Sequence, residues 1–259
     1  LLREAKRILK EVESQCGWMY ETRHGDGRKG RVRYTVWSDV FLCPYCGEEI
    51  IFWDAAVEQG RVQSEFSCPG CTARVTKRDL SRATRQVYDR TLGREIDQAY
   101  RVPVLINYLV SGERYEKRPD AEDLALVRRI ENQEIPYWFP TTRIDRDIDI
   151  WYERDYRSLG IYAIHHFYTK RNLWMTAFLW DRVRRIEDVR LRHHLIFWLQ
   201  SVTAGFSNLN RYLKNAYSQV NRILSGTLYV GSMISEVSPW YALTGKVSRM
   251  MRAPSLAKE

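Results

Sequence analysis

Four cysteines in two matching pairs are the side chains of this sequence best suited to chemistry. Residues 43–46 and 68–71 are both Cys-Pro-x-Cys segments, and 21 residues separate them. Two thiolates at this spacing lie on one tight turn, and two such turns supply a tetrahedron of sulfur that suits Zn²⁺. Because four thiolates leave no open coordination position, we expect a structural zinc ion and no catalytic one. The predicted ligands are Cys43, Cys46, Cys68 and Cys71.

Two other interpretations of these cysteines are a pair of disulfides and a redox Cys-x-x-Cys motif. A redox motif stands once, at the start of a helix, whereas this motif stands twice around a predicted ribbon. Residues 50–53 are an apolar run typical of a strand, residues 54–60 form a turn region, and residues 61–66 return as a strand. The fifth cysteine, Cys16, is left over, and a free thiol beside a thiolate site indicates a reducing, intracellular compartment.

The composition allows a packed core and favours a polyanionic partner. The chain has 259 residues, of which 44% are hydrophobic, and no apolar run approaches the length of a membrane span. The net charge is +9, which is typical of proteins that bind nucleic acid. The chain begins with Leu1 and not with Met, which suggests a segment of a longer protein.

The most one-sided charge lies just after the predicted ribbon, where residues 74–94 hold seven basic and two acidic side chains. Arginines with hydroxyl and aromatic neighbours suit phosphate and base contacts, although such a run is also typical of a solvated face. The alternating strand 31–37 places Arg31, Arg33 and Thr35 on one face, either on a phosphate backbone or in solvent. The candidate DNA contacts are Arg31, Arg33, Arg74, Lys77, Arg78, Arg82, Arg85, Asn208, Asn210 and Arg211.

These elements predict an α+β chain in which a zinc ribbon is inserted in a mixed strand and helix module. A mainly helical C-terminal half follows. The predicted regions are an N-terminal helix and basic strand over 1–36, the ribbon over 37–80, a mixed α/β connection over 81–160 and a mainly helical region over 161–259. Asp120 is a predicted helix cap, and residues 227–231 a short strand.

Two pairs of adjacent histidines, His165/His166 and His193/His194, suggest a second metal site at first sight. Neighbours on a helix point about 100° apart, so we expect neither pair to chelate. Chelating histidines on helices are usually four residues apart.

Five segments, in this order, resemble the adenine-specific DNA methyltransferases that carry an internal zinc ribbon. They are Gly-Trp-Met-Tyr at 17–20, Val-Trp-Ser-Asp-Val at 36–40 leading into Cys-Pro-Tyr-Cys-Gly-Glu-Glu-Ile-Ile-Phe-Trp-Asp at 43–54, Phe-Tyr-Thr-Lys-Arg-Asn-Leu at 167–173, Ser-Gly-Thr-Leu-Tyr-Val at 225–230 and Glu-Val-Ser-Pro-Trp-Tyr at 236–241. The resemblance covers nearly the whole chain and implies a prokaryotic, cytoplasmic protein of a restriction-modification type.

The resemblance implies that this chain is the target-recognition region between two catalytic halves. In such proteins the S-adenosylmethionine motif precedes this region, and the Asp-Pro-Pro-Tyr-type motif that holds a flipped adenine follows it. Neither motif occurs in this sequence. We therefore expect no catalytic and no cofactor-binding residue here, no methyl transfer by this chain alone, and as partners duplex DNA and the flanking methyltransferase segments.

Two further classes stay open from the sequence. One is a zinc-ribbon module that binds another protein, for which the basic charge is incidental. The other is an intact RNA-binding or RNA-modifying protein. Steep salt dependence of DNA binding separates the first from a DNA-binding protein, because counterion release accompanies only nucleic-acid binding. Competition between duplex DNA and structured RNA separates the second.

Overall fold

The computed structural model describes residues 1–145, 151, 156–216 and 218–252, and the chain has an α+β fold. The helices are α1 Leu2–Cys16, α2 Phe52–Ala56, α3 Ala121–Glu131, α4 Tyr156–Leu159, α5 Lys170–Arg184, α6 Val189–Thr203 and α7 Pro239–Arg252, with 3₁₀ turns at Gly17–Tyr20, Ile164–Phe167 and Ala204–Phe206. The strands are β1 Glu21–Arg23, β2 Lys29–Leu42, β3 Glu49–Ile51, β4 Val57–Glu58, β5 Arg61–Val62, β6 Glu65–Ser67, β7 Arg74–Thr76, β8 Ser81–Arg82, β9 Thr84–Asp89, β10 Arg94–Ala99, β11 Arg101–Val110, β12 Glu113–Lys117 and β13 Met233–Val237.

The 14-residue strand β2 is the centre of the main sheet. Strands β11 and β13 both pair with its residues 34–38, and therefore lie along its two edges. The far end of β2 pairs with β3 and β8, and so joins the sheet to the cysteine ribbon. β2 runs across the region boundary predicted at residue 36, and β13 brings the C-terminal region into the same sheet.

Helices α1, α5, α6 and α7 pack together beside this sheet and enclose the largest hydrophobic core. Buried residues of α1 recur at helical spacing, as amphipathic packing requires: Ala5, Ile8, Leu9, Val12 and Cys16. The predicted cap of α3 is confirmed, because the Asp120 side chain accepts a hydrogen bond from the Asp123 N–H in a capping box.

In the C-terminal region the structure differs from the elements predicted for it. Residues 227–231 form no strand, and the strand of this region is Met233–Val237. The C-terminal region is less helical than predicted, because much of residues 207–232 is irregular in the described part. Among the described residues, no helix combines the length and the apolar character that crossing a bilayer requires.

Candidate metal centre and candidate nucleic-acid interface

The four predicted cysteine ligands converge, and together they can hold a metal ion. All four Sγ atoms lie within 4.8 Å of one another. The Cys43 and Cys71 sulfurs are 3.8 Å apart, and those of Cys46 and Cys68 are 3.7 Å apart. A tetrahedron with metal–sulfur bonds of about 2.3 Å has edges of about 3.8 Å, so the spacing fits four-coordinate thiolate ligation.

Matching backbone turns place the two pairs of sulfurs. The Gly47 N–H donates to the Cys43 carbonyl at 2.9 Å, and the Thr72 N–H donates to the Cys68 carbonyl at 3.0 Å. Gly47 and Thr72 both take positive φ, which closes each turn tightly. Burial raises the pKa of the Cys43 thiol, but hydrogen bonds from backbone N–H groups, together with those involving neighbouring thiols, outweigh this and lower it to about 7.

The ribbon between the pairs is only partly the predicted pair of strands. β3 covers residues 49–51, but Phe52–Ala56 is a helix and not a continuation of the strand. The Phe52 ring packs edge-on against Phe41 and Phe66, and the Trp53 N–H donates to the Ser38 hydroxyl at 2.9 Å. These tertiary contacts favour the helical turn over the local strand preference. Cys16 lies in the main core and takes no part in the cluster.

The face of β2 that carries Arg31 and Arg33 is largely covered, because Arg33 is buried and Arg31, 26% exposed, pairs with Glu13 of α1 at 2.8 Å. The Arg31 guanidinium lies 5.2 Å from the Trp240 ring centroid, and that of Arg33 lies 4.3 Å from the Tyr241 ring centroid. Thr35 on the same strand is buried. DNA contacts of Arg31 and Arg33 remain a prediction, and of these two side chains only Arg31 is partly exposed.

The basic run 74–94 does not form one cationic face. Five of its seven basic residues have a carboxylate partner within 4 Å: Arg74 with Glu65, Arg82 with Asp39, Arg85 with Glu49, Arg90 with Glu134 and Arg94 with Asp145. Lys77 lies 5.4 Å from the Phe52 ring centroid, and Arg78 is exposed. Because exposed pairs are worth about 0–1 kcal/mol, those of Arg74 and Arg85 can still exchange a carboxylate for a phosphate. Arg82 differs, because its partner Asp39 is fully buried and also binds Arg101 at 2.7 Å.

The three candidates at residues 208–211 hold the irregular segment in place. The buried Asn210 amide donates to the carbonyls of Gln219 and Ser235, both at 2.8 Å, and accepts from the Arg222 N–H at 2.6 Å. Asn208, also buried, donates to the His166 carbonyl at 3.3 Å. Arg211 forms a bridge to β13. The Asn210 amide is thus occupied within the fold.

The excess positive charge lies in the C-terminal part of the chain. Residues 161–259 contain 14 Lys and Arg but only five Asp and Glu. Residues 1–160 contain 27 of each sign, so they carry no net charge. The ribbon itself, residues 43–78, has five carboxylates and four cations. The whole net positive charge of the chain therefore lies outside the ribbon, in residues 161–259.

The adjacent histidines His165 and His166 converge on one carboxylate, which the sequence analysis did not anticipate. They lie on the 3₁₀ turn Ile164–Phe167, and their Nε2 atoms are 2.8 and 2.6 Å from Asp89 Oδ2. The premise that neighbouring histidines point apart was therefore wrong here. The ligand atoms of this Asp89 cluster (Asp89, His165 and His166) lie within 4.8 Å of one another, close enough for a metal ion.

The hydrogen bonds of His166 nevertheless favour a structural hydrogen-bonded cluster over a metal site. His166 Nδ1 accepts from the backbone N–H groups of Tyr162 at 3.0 Å and Ala163 at 3.3 Å. The proton of the neutral ring is therefore on Nε2, where it is donated to Asp89. Binding a metal through Nε2 would move that proton to Nδ1, against two N–H donors. The cluster joins the β9–β10 hairpin to the turn that precedes α5.

The Asp89 cluster makes stability depend on pH. Burial and the neighbouring His165 lower the pKa of His166 to about 4, although Asp89 acts in the opposite direction. In the unfolded chain the pKa of this histidine is about 6.5, so the unfolded state takes up the proton at a higher pH than the folded state does. Lowering the pH from about 6.5 to about 4 therefore destabilises the fold. We expect the free energy of unfolding to fall by about 3 kcal/mol from this group across that range. Urea unfolding at pH 7, 5.5 and 4.5 measures the change.

Other groups titrate over the same pH range, so a comparison of two variants is needed to assign the pH dependence to His166. His166→Gln should flatten the dependence between pH 6.5 and 4. His193→Gln removes an exposed histidine of α6 and should leave the profile unchanged. Asp89 adds a loss only at lower pH: burial raises the pKa of its carboxyl, but hydrogen bonds from His165, the Leu92 N–H and His166 outweigh this and lower it to about 2. Equal slopes for the two variants would contradict the assignment.

Segments that carry the family resemblance meet in a buried polar network. The Arg171 guanidinium pairs with Glu236 and donates to Thr35 Oγ1 at 2.6 Å. The Trp37 indole N–H donates to Glu236 at 2.7 Å. Asn172 next to Arg171 donates to the carbonyls of Phe206 and Val237 at 2.8 and 3.0 Å. Sequence reasoning did not find this network, because its members are up to about 200 residues apart.

This network joins strand β2 to helix α5 and to strand β13. Comparisons of the chain with family models, with curated proteins and with solved structures each find no match.

Proposed function

We propose that this chain is the DNA-binding target-recognition region of a site-specific adenine DNA methyltransferase. It holds duplex DNA while a target base is extruded, and the flanking methyltransferase segments supply S-adenosylmethionine binding and methyl transfer. The observation that carries the proposal is the charge distribution, because the whole excess of +9 lies in residues 161–259. Clustered Lys and Arg supply the phosphate contacts that hold a duplex. The resemblance of the five segments adds the reaction class.

We further propose that the cysteine cluster holds one structural zinc ion in the reducing cytoplasm of a prokaryote. Four thiolates with tetrahedral spacing are the ligand set that zinc prefers. The ribbon core packs directly on the ligands, since Cys43 and Cys68 belong to the same cluster as Phe41, Phe52 and Phe66. Zinc would therefore supply folding free energy to the ribbon and no chemistry to a substrate.

DNA binding with steep salt dependence is the expected result for the purified chain. With about five phosphate contacts, affinity should fall several hundredfold between 50 and 200 mM salt. Fluorescence anisotropy with a labelled duplex measures it. Arg190→Gln/Arg249→Gln removes two exposed cations of the C-terminal region and should weaken binding to every sequence. Arg61→Gln/Arg114→Gln removes two exposed cations from residues 1–160 and should weaken it much less.

The outcomes separate this function from its alternatives. Absence of duplex binding at low salt would refute the proposal and favour a protein-interaction module. Displacement of DNA by equimolar structured RNA would favour an RNA-binding protein. An equal effect of the two double variants would show that the charge distribution does not locate the interface.

A further inference from the structure

Residues 136–140 present one tryptophan to solvent between two half-buried neighbours. Pro136 and Pro140 flank the aromatic triplet and restrict its backbone. The Tyr137 ring packs edge-on against Phe178 at 5.2 Å, and the Phe139 ring lies 5.7 Å from His165. These two contacts hold the segment on the helical core. Trp138 between them is nevertheless 61% exposed. Its ring packs beside the Trp180 ring, with 6.3 Å between the two ring centroids.

Three arginines at the end of α5 share one buried carboxylate. Asp181 lies within 3.4 Å of Arg182, Arg184 and Arg185. Burial raises the pKa of Asp181, but its hydrogen bonds from Arg185 and Arg184 outweigh this and lower it, so the carboxylate is ionised. Arg182 also pairs with Glu11 at 3.3 Å, so two carboxylates face three guanidiniums. The Arg184 and Arg185 side chains are 52% and 63% exposed, which leaves donors for an outside anion.

The exposed tryptophan and the arginines lie on one surface. Trp180, which contacts Trp138, directly precedes Asp181, and Arg184 follows Trp180 by one helical turn on the same side of α5. Arg185 lies beside Arg184, because both pair with the Asp181 carboxylate. We call Trp138, Trp180, Arg184 and Arg185 the Trp138 surface. The acid Glu134 in the same loop is paired with Arg90.

The chemistry of this surface matches a nucleotide whose base is unpaired. An exposed indole offers a stacking face to a free base, and guanidiniums bind phosphate with paired donors. A paired duplex hides the faces of its bases, so it would use only the arginines. An acidic peptide would likewise leave the indole without a partner. The combination of indole and arginines is the arrangement by which proteins hold single-stranded or extruded nucleotides.

We propose that the Trp138 surface binds an unpaired nucleotide of the DNA, with the base stacked on Trp138 and the phosphates on Arg184 and Arg185. The inference rests on the proposed DNA-binding function and identifies the state of the DNA that the chain prefers. An extruded target base, or the strand distorted by its extrusion, supplies such a nucleotide.

Anisotropy with two labelled duplexes tests the stacking part. One duplex is fully paired, and the other carries a single unpaired adenine in the same sequence. The full chain should bind the second about tenfold more tightly. Trp138→Ala should abolish that preference and leave affinity for the paired duplex unchanged. Trp138→Leu, which retains apolar contact with Trp180 but no stacking ring, should do the same. Tyr45→Ala, which removes a 70% exposed ring of the ribbon, should retain the preference.

The arginine part has a different signature. Arg184→Gln/Arg185→Gln should weaken binding of both duplexes and reduce the slope of log affinity against log salt by about two. Lys77→Gln/Arg78→Gln makes the same change of charge beside the ribbon and should alter the slope less. Wild-type chain that binds both duplexes equally, or a preference that survives in Trp138→Ala, would overturn this inference while the proposed function stands. Chain that binds neither duplex at low salt overturns both.

Discussion

Replacing Cys68 by serine is expected to remove the bound metal and unfold the ribbon. Cys68 is 1% exposed and lies in the same core as Phe52 and Phe66. Loss of this metal ligand should therefore also disrupt the packing of that core. Because metal binding and folding are coupled in such sites, with about 10 kcal/mol or more of apparent binding free energy, the effect should be large. The zinc content measured by metal analysis should fall from about one ion per chain to none. Hydrogen exchange should show lost protection in β6 and β7.

Cys16→Ser is the matched control for this variant. Cys16 is buried in the main core, where burial raises the pKa of its thiol to about 12, and it should be neither a ligand nor reactive. This variant should retain a full complement of zinc. Metal loss in Cys16→Ser, or full occupancy in Cys68→Ser, would refute the four-cysteine assignment.

Replacing Arg171 by methionine is expected to destabilise the whole chain by about 3–5 kcal/mol. Arg171 is 6% exposed and its partner Glu236 is 2% exposed, so the variant leaves a carboxylate buried without its cation. The Glu236 carboxylate also receives the Trp37 indole N–H, which ties β2 to β13. Urea unfolding followed by tryptophan fluorescence measures the loss of free energy.

An exposed arginine of the same sheet provides the control. Arg114 on β12 is exposed, and Arg114→Met should change stability by less than about 0.5 kcal/mol. Adding Glu236→Gln to Arg171→Met should recover part of the loss, because the uncompensated charge is removed. A cost below 1 kcal/mol for Arg171→Met would show that water reaches Glu236 and that the pair is not a buried one.

The metal centre was the part of the site most open to prediction, because its geometry is local. Each Cys-Pro-x-Cys segment closes its own turn with a hydrogen bond between residues four positions apart, as from the Gly47 N–H to the Cys43 carbonyl. The element beside it was not predicted correctly. Residues 50–53 have the composition of a strand, yet Phe52 starts a helix because its ring packs against Phe41 and Phe66. A tertiary contact there outweighs a weak local preference.

The positions of unpaired basic side chains were much less open to prediction from the basic run 74–94. Its arginines find carboxylates that are 9, 36 and 51 residues away in the chain, in the pairs of Arg74, Arg85 and Arg94. A count of charges in a window cannot include such partners. The same limitation hid the Trp138 surface. Its signal in the sequence was an aromatic triplet between two prolines, and its arginines lie more than 40 residues further along.

Local sequence patterns were enough to predict the α+β composition, the four converging cysteines, the N-terminal helix and the Asp120 cap. Each of these depends on interactions among residues a few positions apart, which spacing and residue type describe. The packing of distant segments, in contrast, determines which arginines are exposed, the contact of two adjacent histidines with Asp89, and the pairing of Arg171 with Glu236. Those contacts join residues 65 to 77 positions apart, and they form only when the β-sheet and the helices pack and bury them.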